Sequence, residues 1–191
     1  MSGKHERQCR PMPYEHASHL LNPLRKLILS PKKLAKRLDL RKNSIVLELG
    51  PGPGYFSPEV ARSIPAGKLI LVDIQQEMLD MARKRLEKRG IANVEYIKGD
   101  ATSLPVDSES FDVVFLISVL GEVPERNKCL RELYRVLRPK GLLSITEQPC
   151  DPDSIPMPDI QGLAEKEGFC FEMSYGRGKN YTANFRKQNA S

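Results

Sequence analysis

Apolar and polar positions change rhythm several times along this chain, and the changes mark its elements. From Tyr14 the period is helical, with Leu20, Leu21, Leu24, Leu27 and Ile28 on one stripe. Ser30-Pro31 reads as an N-cap with proline in the first turn, and Leu34, Ala35 and Leu38 mark the buried side of the helix that follows. Beyond this leader, short apolar runs alternate with amphipathic stretches. Strands are predicted at Ser44–Leu49, Lys68–Asp73, Val94–Lys98, Phe111–Leu116 and Leu142–Glu147. Helices are predicted at Tyr55–Ser63, at Gln76–Arg89 with Met78, Leu79, Ala82 and Leu86 inward, and at Glu125–Leu137 with Cys129, Leu130, Leu133 and Leu137 inward. The fourth strand is apolar enough to be buried on both faces. Such alternation implies parallel strands joined by right-handed crossovers. The ending differs: after a Pro/Asp-rich loop and a short helix near Asp159–Glu167, Phe169–Tyr175 and Tyr181–Arg186 flank the turn GRGKN and read as an antiparallel hairpin.

At 191 residues the chain is expected to form one domain with an appendage: a disordered basic segment at 1–13, a helical leader at 14–42 and the main domain at 43–191. No apolar stretch approaches the ~20 residues that span a bilayer. No apolar core follows the charged N-terminus, so no signal peptide is indicated and a cytoplasmic protein is expected. Cys9, Cys129, Cys150 and Cys170 are scattered without a CxxC and are expected to be free thiols. The net charge of +6 is uneven: residues 1–42 hold 11 Lys/Arg against 3 Asp/Glu, and the remainder 19 against 21. A basic leader on a nearly neutral body is either a solvated helix surface or an attraction for something anionic.

The densest candidate chemistry is VLELGPGPGYFS, Val46 to Ser57, where a strand ends in an acid and glycines stand at Gly50, Gly52 and Gly54. A phosphate loop requires a Lys-Ser/Thr pair after its last glycine, and Tyr55-Phe56 stand there instead. A dinucleotide loop requires G-x-G-x-x-G, which fails in both registers because Tyr55 or Ser57 occupies the third glycine's place. The observed spacing suits a ligand with an amino-acid part and a nucleoside but no pyrophosphate. Glu48 can attract an ammonium group. Asp73, at the end of the second strand, is placed to reach ribose hydroxyls. Ile74 and Met78 can touch a base, and Asp100 in KGDATSLP can accept from an exocyclic amine.

Four segments in order, VLELGPGPGYFS, LILVDIQQEML, IKGDATSLPVDSESFDVVFLISVL and LRELYRVLRPKGLLSITE, resemble the class I S-adenosylmethionine (SAM)-dependent methyltransferases. The likeness is greatest to the small-molecule group with ubiquinone/menaquinone-biosynthesis-type domains. The resemblance implies an α/β fold: a doubly wound, Rossmann-like, seven-stranded sheet, mostly parallel with a C-terminal antiparallel hairpin and helices on both faces. It also implies that SAM is the methyl donor, leaving as S-adenosylhomocysteine, and that a small molecule is the acceptor. Glu48 and the Gly50, Gly52, Gly54 loop would hold the methionine part, Asp73 the ribose, and Ile74 the adenine face. Asp100 would take the adenine amino group with the Ala101 backbone nearby, and Ile117 and Ser118 would line the pocket near the sulfonium.

Methyl transfer from a sulfonium is an in-line displacement that positioning alone can accelerate, so it leaves little catalytic signature in a sequence. Relatives often carry histidine after the fourth strand, whereas this chain reads VLGEVPE, leaving Glu122 as an orienting group or base. In YEHASHLLNPLR, His16 and His19 stand one helical turn apart, too few to make a metal site alone, and no metal is expected. Similar leaders fold over the pocket as a lid, which makes Tyr14, His16, His19 and Asn22 substrate-side candidates. Two alternatives remain. One is a SAM-binding protein without independent transferase activity. The other is an RNA or DNA methyltransferase using the basic leader, although no aromatic stacking platform supports it.

Overall fold

The computed structural model describes residues 13, 14, 21, 28–149 and 151–188. Ser30 Oγ accepts from the Lys33 amide at 3.2 Å, with proline in the first turn, and opens α1, Pro31–Arg37. The main body then runs β1 (Ile45–Leu49), α2 (Ser57–Ser63), β2 (Lys68–Asp73), α3 (Gln76–Glu87), β3 (Val94–Lys98) and β4 (Phe111–Ile117). A 3-10 turn at Leu120–Glu122 leads into α4 (Arg126–Val136), followed by β5 (Leu137–Glu147), α5 (Met157–Lys166), β6 (Phe169–Arg177) and β7 (Asn180–Lys187).

The seven strands form one sheet in the order β3-β2-β1-β4-β5-β7-β6. β1 to β5 are parallel, and β7 enters antiparallel between β5 and β6. Alternate strand residues divide the core in two. Val46, Leu69, Leu71, Val113, Phe115 and Leu142 pack under α1, α2 and α3. Leu47, Ile70, Val72, Val114, Leu143 and Ile145 pack under α4 and α5. Burial of both sheet faces is what the doubly wound expectation requires.

Beyond shifts of one or two residues at helix and strand ends, three differences from the periodicity have a local cause. The helix expected from Tyr55 begins at Ser57, because the glycine loop and both aromatics belong to the turn above β1. β5 begins at Leu137 rather than Leu142: residues 138–141 form a bulge, with Lys140 at φ 64° and pairing that steps from Phe111–Leu137 to Val113–Leu142. The hairpin is longer than expected. Its strands run on to Arg177 and Asn180, leaving Gly178-Lys179 as a two-residue turn with φ 58° at Gly178. Asp112 is a fastening residue near the start of β4. It accepts from the Ile45 amide at 2.7 Å and from Arg138 at 2.6 Å, tying β1, β4 and β5 together.

Candidate functional site

The parallel strands β1, β2, β4 and β5 end at one edge, where the first strand-to-helix turn forms a pocket lined by Glu48, Gly50, Pro51, Gly52, Pro53, Tyr55, Phe56 and Ile117. Gly50 lies at φ 64°, and an added Cβ there would meet Val119 Cγ2 at 2.5 Å. Glycine therefore permits both the left-handed backbone and the close approach of the loop to the segment after β4.

Glu48 is buried beneath this loop, and its Oε2 has no hydrogen bond. Burial raises its pKa to about 8, against a smaller lowering by the adjoining Ser57 hydroxyl at the start of α2. A buried carboxyl with an unfilled acceptor atom is set to receive a cationic donor such as an ammonium group. Asp73 holds the loop from the neighbouring strand. Its Oδ2 accepts from the Gly52 amide at 3.3 Å and its Oδ1 from the Gln75 amide at 2.9 Å. Burial raises its pKa too, opposed by those amides.

Ile74, next along the edge, is 48% exposed, an unusual position for isoleucine and a suitable one for an apolar platform. Met78 is buried on the inner side of α3. Asp100 is exposed, and its Oδ1 accepts from the Thr102 amide and hydroxyl at 2.7 and 2.9 Å, which holds its pKa down. Ala101 beside it is half-buried. Ile117 lines the pocket directly, and Ser118 follows at φ 55° with its amide given to Thr146 O at 2.8 Å. The structure thus gathers Glu48, the glycines, Asp73 and Ile117 at one turn, and it leaves Ile74 and Asp100 further along the same strand-end edge.

Pro51, Pro53, Tyr55 and Phe56 were not among the residues predicted for the site. Their signal was position alone, since each lies inside or just beyond the glycine repeat. Also unforeseen is Glu147 at the end of β5. It is fully buried, and its neighbours are Asp151, Arg126, Glu122 and Tyr181. Glu122, a candidate from sequence, therefore belongs to this second group. Tyr14 is 44% exposed. His16, His19 and Asn22 lie outside the described residues, as do Cys9 and Cys150. Cys129 and Cys170 are free thiols, and no group of metal-ligating side chains occurs among the described residues.

A family profile for the methyltransferase domain matches residues 47–145, more than half of the chain. The chain belongs to this family. The ubiquinone/menaquinone biosynthesis C-methyltransferase UbiE of Escherichia fergusonii is 38% identical over 110 residues, covering 56% of this chain and 44% of that protein. The demethylmenaquinone methyltransferase of Lactobacillus johnsonii is 35% identical over 125 residues, covering 63% of this chain and 51% of that protein. The chain spans about half the length of these curated relatives. Among solved structures, a SAM-dependent methyltransferase from Aquifex aeolicus superposes with a TM-score of 0.85 at 24% identity, covering 92% of this chain and 99% of that one. The [4+2]-cyclase SpnF superposes at 0.74 with 19% identity, covering 84% and 80%. These two likenesses establish the methyltransferase fold for the sheet and its hairpin.

Proposed function

We propose that this chain transfers a methyl group from S-adenosylmethionine to a small-molecule acceptor. The observation that carries the reading is the buried, unfilled Glu48 carboxyl beneath a left-handed glycine turn that Asp73 ties to the next strand. These residues fit SAM. Glu48 and the Gly50–Gly54 turn would take the methionine ammonium and backbone, Asp73 the ribose hydroxyls, and exposed Ile74 the adenine face. Asp100 and Ala101 would meet the adenine edge, and Ile117 and Ser118 would flank the sulfonium. When bound, SAM supplies an electrophilic methyl whose departure leaves a neutral thioether.

The chain's contribution is to hold a nucleophile in line with that methyl and to exclude water. The relatives' names point to quinone-derived rings as the acceptor class. A leader that helps to close the site is part of this reading, and one contact supports it. The Ile28 carbonyl accepts from Asn180 at 3.4 Å, and Asn180 begins β7 beside the C-terminal end of β5. The chain therefore reaches α1 from the strand-end edge. A reducing, cytoplasmic setting agrees with the free thiols of Cys129 and Cys170.

Calorimetry with SAM, followed by a screen of small acceptors with methyl-labelled SAM read by product mass, tests the reading. A labelled small-molecule product is expected. An absence of saturable SAM binding would overturn it. Saturable binding with no methylated product from any acceptor would leave a SAM-binding protein without independent transferase activity. Label entering RNA or DNA instead would assign the acceptor to nucleic acid.

A further inference from the structure

The strand-end edge carries a second buried carboxyl group that the methyl-donor reading leaves unused. Glu147 ends β5 on the face opposite Glu48, near the 3-10 turn and residues 151–155. It is 0% exposed. The Ile155 amide approaches it, yet neither carboxylate oxygen completes a hydrogen bond. Asp151 is beside it. Its Oδ1 accepts from the Asp153 amide at 2.9 Å and so fixes the loop, while its Oδ2 is buried without a hydrogen bond. The Ser118 hydroxyl is close enough to favour the Asp151 carboxylate, though it too completes no bond. Ser118 stands in left-handed backbone at the end of β4, directly before the Val119 that Gly50 touches. The strained residue therefore lies between the donor turn and the Glu147–Asp151 pair. Strain, buried orphan oxygens and proximity to the donor turn coincide at one place.

We infer that Asp151, backed by Glu147, is the proton acceptor of the transfer reaction and binds an acidic O–H group of the methyl acceptor beside Ser118. The inference rests on the methyltransferase reading above. The acceptor's O–H bond breaks, its proton passes to Asp151 Oδ2, and the electron pair stays on the acceptor. The acceptor thereby becomes nucleophilic toward the donor's methyl. Glu147 is a positioning residue whose charge acts on Asp151 from behind. The charged and titratable groups facing it are Asp151 from the loop, Glu122 from the 3-10 turn, Arg126 from α4 and Tyr181 from β7. Burial and Asp151 together raise the Glu147 pKa to about 8, so this pair takes up and releases a proton near neutrality. Arg126, which also donates to Gly121 O at 3.1 Å, opposes that rise.

Infrared difference titration of the full chain loaded with S-adenosylhomocysteine tests the inference without turnover. A protonated-carboxyl band is expected to titrate between about pH 6.5 and 9, to disappear in Glu147→Gln, and to shift when the phenolic probe 1,4-naphthohydroquinone is added. A band that neither depends on Glu147 nor responds to the probe would overturn the placement. With labelled SAM and the same probe, Asp151→Asn is expected to slow transfer by on the order of a hundredfold while SAM affinity stays within about twofold. Glu147→Gln is expected to move the acid limb of the rate profile, which a purely structural residue would not do. Transfer by Asp151→Asn at the unmodified rate would also overturn the inference. Failure to bind S-adenosylhomocysteine at all would instead overturn the donor reading.

Discussion

Glu48 concentrates the chemistry of the pocket above β1 in a single ionisable group. Its carboxyl holds a proton up to about pH 8 in the native chain, and the Glu147 carboxyl does the same. Unfolded carboxyls of this kind release theirs near the ordinary value of about 4.3. Between those values the native state binds more protons than the unfolded state, so stability must fall as pH rises from roughly 4.5 through about 8. Thermal melts of the ligand-free chain should lose on the order of 15 °C between pH 5.5 and 8.5, with the loss roughly halved in Glu48→Gln. A flat profile would contradict the burial argument. A donor ammonium against Glu48 favours the carboxylate and so must displace that proton. SAM affinity measured by calorimetry should therefore weaken toward pH 6 in the unmodified protein and stay level in Glu48→Gln. That variant should bind about tenfold more weakly at pH 8.5, where the charge-assisted contact is lost. Glu48 and Asp73 were legible in the sequence because an acid at the end of an apolar run announces a strand end. Ser57, Asp151 and the role of Glu147 were not, because their burial is decided by which loop covers which strand.

The elements were read well where the period was unbroken and less well where backbone chemistry imitated a different structure. Phe169 to Arg186 alternated clearly enough to declare a hairpin, yet its glycine-rich turn looked longer than the two residues it uses. The RPKG in β5 carries the residues of a turn, but pairing on both sides keeps it within the strand. Between elements, the 3-10 turn after β4 and the loop after β5 meet at Gly121. An added Cβ there would collide with the Asp153 carbonyl oxygen, a backbone atom that cannot swing aside. Gly121→Ala must therefore push the two segments apart, and with them Ser118, Glu122 and Asp151. The expected outcome is a fold loss of about 1–3 kcal/mol in denaturant melts. Methyl transfer should fall on the order of tenfold or more through misplacement of the acceptor side, while SAM affinity is retained. Unchanged transfer would show that this packing contact does not shape the acceptor side.

Charge is distributed across the molecule in a way that no single element reveals. Residues 1–42 carry a balance of +8, from 11 basic and 3 acidic residues, while the rest carries −2. Lys32, Lys33 and Lys36 on α1 are solvent-facing, and Arg37 is turned inward to Thr182 Oγ1 at 2.8 Å, while its carbonyl accepts from Asn184 at 2.7 Å. The basic leader is thus fastened to β7, and the Ile28 carbonyl meets Asn180 where β7 begins. Leu21 packs against the same core that holds Tyr55, Phe56 and Ile117 of the donor pocket. Fastening at the site edge and contact with the pocket's own core both favour a covering role for the leader over a merely solvated basic surface. Removing residues 1–22 tests this, because Ile28 and α1 keep their attachments while the segment beyond is lost. Retention of the fold is checked by the thermal melt. SAM affinity should change by less than about threefold, whereas transfer should slow on the order of tenfold and more SAM should be hydrolysed without transfer, since a lid acts by excluding water. A truncated chain that turns over at the full rate would mean that the strand-end loops alone enclose the reaction. The basic leader would then serve some contact outside the site.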